Sequence, residues 1–119
     1  VDVAPTYSLF GAVSAYDLTS LTTTTTGALL MAFSVANTTT GTWTPPTTQG
    51  GGWTEDVDDP SPLPHSGVHW KIWAGSGATG TVDLVRSTTT RGGALLIALR
   101  PAAGGGGDPA FAGWGMLPI

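Results

Sequence analysis

Residues 28–36 read ALLMAFSVA, nine positions without a charge, a glycine or a proline. That length suits one strand crossing a sheet, and Gly27 and the NTTTG stretch at 37–41 bound it with turn signals. Two further runs share its character: VHWKIWA at 68–74 and ALLIALR at 94–100. Together the three hold almost all the large hydrophobic segments a core could use. No segment between them has the length or composition of a helix. The first reads as a central strand, apolar on both phases and so expected to be buried on both faces. The second alternates with a period of two. Its hydropathy assigns Val68, Trp70 and Ile72 to the core and turns His69, Lys71 and Trp73 outward.

Composition points the same way. The chain has 119 residues, enough for one domain with its own core and no metal or disulfide staples. It carries 20 threonines and 18 glycines against one glutamate and one lysine. Threonine favours a pleated surface, whereas glycine weakens helices and permits tight turns. Charged residues make up 10% of the chain, too few to cover its surface unless Thr, Ser and Gly, or partners, cover the rest. The net charge is −4, and Lys71, Arg86, Arg91 and Arg100 are scattered, so no basic stripe offers itself to a nucleic acid. No apolar run reaches the ~18 residues of a membrane span, and no basic-then-apolar leader opens the sequence. The absence of cysteine excludes thiol nucleophiles and thiolate metal sites, and fits a reducing compartment.

Turn signals about ten residues apart divide the rest into short strands, the spacing of a sandwich. The expected fold is all-β: a single β-sandwich, jelly-roll or Ig-like, of about seven or eight short antiparallel strands. Residues 1–6 form an N-terminal arm that Pro5 keeps out of a central ladder, and the sandwich domain runs over 1–103. Residues 17–26 read as a threonine-rich strand, 58–67 (DDPSPLPHSG) as a long exposed loop, and 88–93 as a turn. Residues 104–107 are four glycines forming a linker, followed by an apolar C-terminal tail.

The stretches GALLMAF at 27–33, GGWT at 51–54, VHWKIWA at 68–74, the Thr/Val strand at 81–85 and ALLIALR at 94–100 resemble a β-sandwich module of tailed-bacteriophage virion proteins. Ala28 stands where that pattern carries an acid, and Trp73 interrupts its Lys–Ala spacing. The resemblance covers roughly residues 7–100. It implies a virion component, most simply a capsid decoration (cement) protein made in the bacterial cytoplasm and bound in many copies to the major capsid protein. Self-association is expected with it, a trimer being one closed form. The alternative is an adhesion module on the head or tail that binds a host surface or carbohydrate.

Chemistry-bearing patterns are sparse. The EDVDD run at 55–59 lacks calcium-loop order and offers too few ligands. His65 and His69 have no third and fourth ligand at a suitable spacing. Ser66 beside His65 lacks a nucleophile elbow or oxyanion motif, so no catalytic residue, cofactor or metal is expected. The assembly contacts expected are Trp73, as the outward aromatic, and Phe111, Trp114, Met116, Leu117 and Ile119 of the tail. Trp43 and His65, on loops, are the candidates for a surface-binding site such as a sugar-stacking platform.

Overall fold

The computed structural model describes residues 1–48 and 51–101. Eight strands follow one another: β1 (Thr6–Leu18), β2 (Thr22–Thr23), β3 (Ala28–Ala36), β4 (Trp43–Thr44), β5 (Thr54–Asp59), β6 (His65–Trp73), β7 (Gly77–Ala78) and β8 (Val82–Leu99). All pairings are antiparallel, in the order β1-β8-β3-β6-β5, with β4 also on β8 and a separate β2-β7 ribbon. The fold is the expected all-β sandwich.

Two long strands replace several short ones. The threonine-rich stretch before Gly92 is no turn: β8 runs unbroken through it, because β-branched residues continue a ladder as readily as they decorate a loop. β1 pairs with β8 along its length, from Thr6↔Leu96 to Leu18↔Val82. Between Val13↔Thr90 and Ala15↔Val85 β1 advances two residues and β8 five. Such an irregularity bends a strand pair. One half of the pair carries β3, β6 and β5; the other half carries β4. Tyr16, Leu18 and Leu84 of the second half then pack with Leu30, Ala32 and Leu96 of the first in one core. The threonine-rich strand expected over 17–26 is reduced to β2, since β1 has already used Asp17 and Leu18.

The bend requires glycine at 92. A Cβ there would lie 2.1 Å from the Val35 carbonyl oxygen and 2.6 Å from the Tyr16 hydroxyl. Tyr16 fills that space instead. Its hydroxyl donates to the Thr90 carbonyl at 2.7 Å, and Phe10 stacks on its ring at 4.6 Å. The N-terminal arm is pinned to the sandwich. The Asp2 amide donates to the Ala98 carbonyl, and its carboxylate accepts from the Thr24 amide and the hydroxyls of Thr24 and Thr25. Those bonds, the Thr24 amide foremost, hold the Asp2 carboxyl below its ordinary value.

A second carboxylate anchors the segment after β4. Asp83 accepts from the amides and hydroxyls of both Thr47 and Thr48 at 2.6–3.0 Å. Burial alone would raise the Asp83 pKa, but these donors outweigh it and hold the group at about 2, below its ordinary 3.8. A depressed carboxylate contributes stability that is complete above its unfolded value and lost as the pH falls through its folded value. Wild type should therefore lose stability between pH 3.8 and about 2, and Asp83→Asn should show a smaller loss across that window in acid-titrated urea melts. Gly92→Ala should destabilise by ~3 kcal/mol, because a backbone oxygen cannot yield to the new methyl. Gly11→Ala, with nothing near its Cβ, should stay within ~0.5 kcal/mol of wild type in the same melts.

Candidate functional site

The phase of β6 is the reverse of the hydropathic expectation, and β3, expected to be buried on both faces, is buried on one. On β3 the inward row is Ala28, Leu30, Ala32, Ser34 and Ala36, all buried; Leu29, Met31, Phe33 and Val35 face out. On β6 the inward row holds His65, Gly67, His69 and Trp73, while Val68, Trp70 and Ile72 face out. On β8 the inward Ala94, Leu96 and Ala98 alternate with outward Leu95, Ile97 and Leu99. The central strands are thus buried on one face only, and the larger side chains lie on the other.

The interior polar groups explain the reversal. His65 is fully buried. Its Nε2 lies 2.5 Å from Asp58 Oδ1 and its Nδ1 2.8 Å from Arg86 Nη2. The guanidinium only donates, so Nδ1 accepts and Nε2 carries the proton given to Asp58. Asp58 also accepts from the Trp43 amide, and Arg86 donates to the Thr40 carbonyl. Arg86 lies over the Trp43 ring at 4.8 Å, and that indole meets the rings of Tyr16 and His65. Burial pushes the pKa of Arg86 down, opposed by Tyr16 and Asp58; burial likewise pushes that of Tyr16 up, opposed by Arg86. Four residues along β6, His69 Nε2 meets Glu55 Oε2 at 2.9 Å. Gly67 lies between the two histidines because Trp43 occupies the place of its side chain: a Cβ would fall 2.7 Å from Trp43 Cδ1.

Three of the sequence-derived candidates are therefore corrected. Trp73 is 8% exposed and belongs to the core, so it is not an outward aromatic. Trp43, 3% exposed, is the indole packed on Arg86 and Tyr16, and offers no sugar-stacking face. His65 opens β6 instead of sitting in the loop at 58–67, which shrinks to the segment between β5 and β6. Phe111, Trp114, Met116, Leu117 and Ile119 lie outside the described residues. Both nitrogens of His65 are engaged inside the protein, so this arrangement pins strands together and presents no base to a substrate. Among the described residues no three His, Asp or Glu side chains gather as metal ligands, and no helix is long and apolar enough to cross a membrane.

What the fold does present is the outer face of the β1-β8-β3-β6 sheet. Residues in register across it form apolar rows: Tyr7–Leu95–Phe33–Val68, then Ile97–Met31–Trp70, then Leu99–Leu29–Ile72. The Leu9–Gly93–Val35 row closes one end. Tyr7 is 75% and Leu9 86% exposed. Because Gly93 lacks a side chain, a shallow depression of about 260 Å³ opens between Leu9 and Val35, bordered by Tyr7 and Phe33. A second, of about 310 Å³, continues past Val35 to Leu63 and Pro64. Sequence reasoning missed this face because it read the same side chains as core. The available signal was the pair of histidines four apart on one strand, opposite Glu55 and Asp58 on the strand before it.

Comparison with known proteins matches no family model, no curated protein and no solved structure. The interior network yields a direct test. Asp58→Ala leaves His65 buried without its acceptor and should cost ~1–3 kcal/mol in chemical denaturation. Asp56→Ala, exposed on the same strand, should leave the midpoint unchanged.

Proposed function

We propose that this chain is a structural assembly module, of the bacteriophage capsid-decoration type, that joins a larger particle by burying the outer face of its sheet. The observation that carries the reading is the outward phase of Leu29, Met31, Phe33 and Val35, next to the equally outward Leu95, Ile97 and Trp70. Monomers in water rarely keep contiguous apolar patches beyond ~300–600 Å². With large apolar residues presenting ~150–250 Å² each when free, the most exposed members here (Tyr7, Leu9, Phe33, Val35, Leu63 and Ile72) uncover on the order of 600 Å². The half-buried members add to this.

The apolar rows themselves carry no Lys or Arg, and the exposed Arg91 of β8 stands singly beyond the Leu9–Gly93–Val35 row, so the face suits an apolar protein surface and not a phosphate backbone. The choice of a virion as the larger particle rests on the sequence resemblance over residues 7–100. Each added copy would bridge its neighbours, and many modest contacts would sum over a lattice. Burial of Trp43 and His65 removes the aromatic loop site on which a carbohydrate-binding role would rest.

The test is addition of the purified chain to tailed-phage heads stripped of outer proteins, followed by sedimentation, electron microscopy and thermal challenge. Wild type should co-sediment with the heads and raise their resistance to heat. Phe33→Glu, which places a charge on the face without touching the core, should weaken that binding about tenfold or more, the effect of ~1.4 kcal/mol. Capture on a glycan array or on bacterial cells, without any addition to heads, overturns the reading.

A further inference from the structure

Resting on that reading of the face, we infer that before the chain joins a particle the face is covered by a second copy, which the particle then displaces, the two copies being paired across a two-fold axis with Leu9 of each seated in the depression beside Gly93 of the other. A two-fold interface must be self-complementary, with the same patch on both partners. This patch supplies both halves of such a fit. Among the described residues Leu9 is the most exposed of the large apolar side chains; its Cδ2 leans to 3.3 Å from where a Gly93 Cβ would stand, and the depression beside it runs past Gly93 to Val35 as its far wall. The two features share one row of the sheet, so a half-turn that sets one copy's ridge over the other's groove makes the reciprocal contact as well.

Area and charge favour the same partner. The exposed and half-buried members of the face together approach the ~800 Å² that each side of a standard interface contributes. Across β1, β8, β3 and β6 the outward positions of the rows hold only apolar residues, Ser66 and Gly93. Charges stand only at its border, Arg91 beyond the Gly93 row and Asp59 of β5 beside Ser66, and an apolar surface of this kind is matched by another like it, as in the aligned packing of two sheets about 10 Å apart.

The absence of cysteine permits a clean experiment in the full chain. Leu9 and Val35 are two strands apart, about 10 Å, so a disulfide cannot join them within one molecule. Leu9→Cys and Val35→Cys are made as separate proteins, mixed and mildly oxidised. A disulfide-linked heterodimer should dominate, well above a control mixture of Leu9→Cys with Thr39→Cys, an exposed residue off this face. In parallel, light scattering over a concentration series should show wild type and the tail variant Phe111→Ser/Trp114→Ser as dimers. Leu9→Glu should be monomeric with an unchanged circular-dichroism spectrum.

A monomeric wild type with no heterodimer enrichment overturns the inference. If Phe33→Glu still loses its hold on heads in that case, the face reading stands with a different occupant. If neither Leu9→Glu nor Phe33→Glu alters self-association or head binding, both fall. A tail variant that is monomeric, with Leu9→Glu still dimeric, assigns self-association to the tail and also overturns the pairing.

Discussion

The imidazole of His65, held inside the sandwich between Asp58 and Arg86, sets the phase of β6. A strand has only two phases, and moving the register by one residue turns every side chain to the opposite face. With His65 inward, Gly67, His69 and Trp73 are inward too, and Val68, Trp70 and Ile72 must point to solvent. The ladder transmits that choice. β3 is in register with β6 over nine pairs and with β8 over eight, so the outward rows of three strands coincide. Releasing His65 would leave a buried arginine facing a misplaced strand, and burying an unpaired cation is among the costlier events in a protein interior.

The alternative phase looks better by hydropathy alone, which is why strand positions were legible in the sequence and strand orientation was not. The run at 28–36 coincides with β3, and the run at 68–74 locates β6 although the strand begins three residues earlier at His65, because β-branched and aromatic content bounded by glycine is a local signal. Orientation depends on partners distant in sequence. Asp58 and Glu55 meet the histidines only after the β5–β6 hairpin closes, and Arg86 arrives from β8. The continuity of β8 through 88–93 was obscured for a similar reason. Threonines and glycines there read as a turn until β1 lies alongside to pair with them and Tyr16 fills the space over Gly92. For the candidate site the sequence was misleading rather than silent. It marked Trp43 and Trp73 as free aromatics, and both are needed to cover small residues: Trp43 over Gly67, and Trp73 beside Gly75.

Trp43 shows how the interior accommodates so many polar groups. It is an apolar slab with one face on a guanidinium and its edges toward Tyr16 and His65, so one side chain packs against three others that hydropathy would place outside. The strand that delivers it, β4, is only two residues long and pairs with Arg86 and Val85 of β8. Asp58 reaches back to the amide of Trp43, so the network that orients β6 also holds β4 in place. The two layers are therefore joined through polar contacts as well as through the Leu30, Leu84 and Leu96 core.

An interior of this kind has a consequence for the balance of forces. The inward row of β3 consists of alanines, a serine and one leucine, and such small side chains return little when removed from water. The bulkier aliphatics and aromatics of the same strands lie on the outer face, where Phe33, Val35 and Ile72 keep more than a third of their surface in water and so return only part of their burial energy. Apolar burial on folding is thus incomplete on that face. Binding that favours the folded state adds to its stability by mass action. Under the proposed burial of the outer face, such binding would add to the stability that this small core supplies.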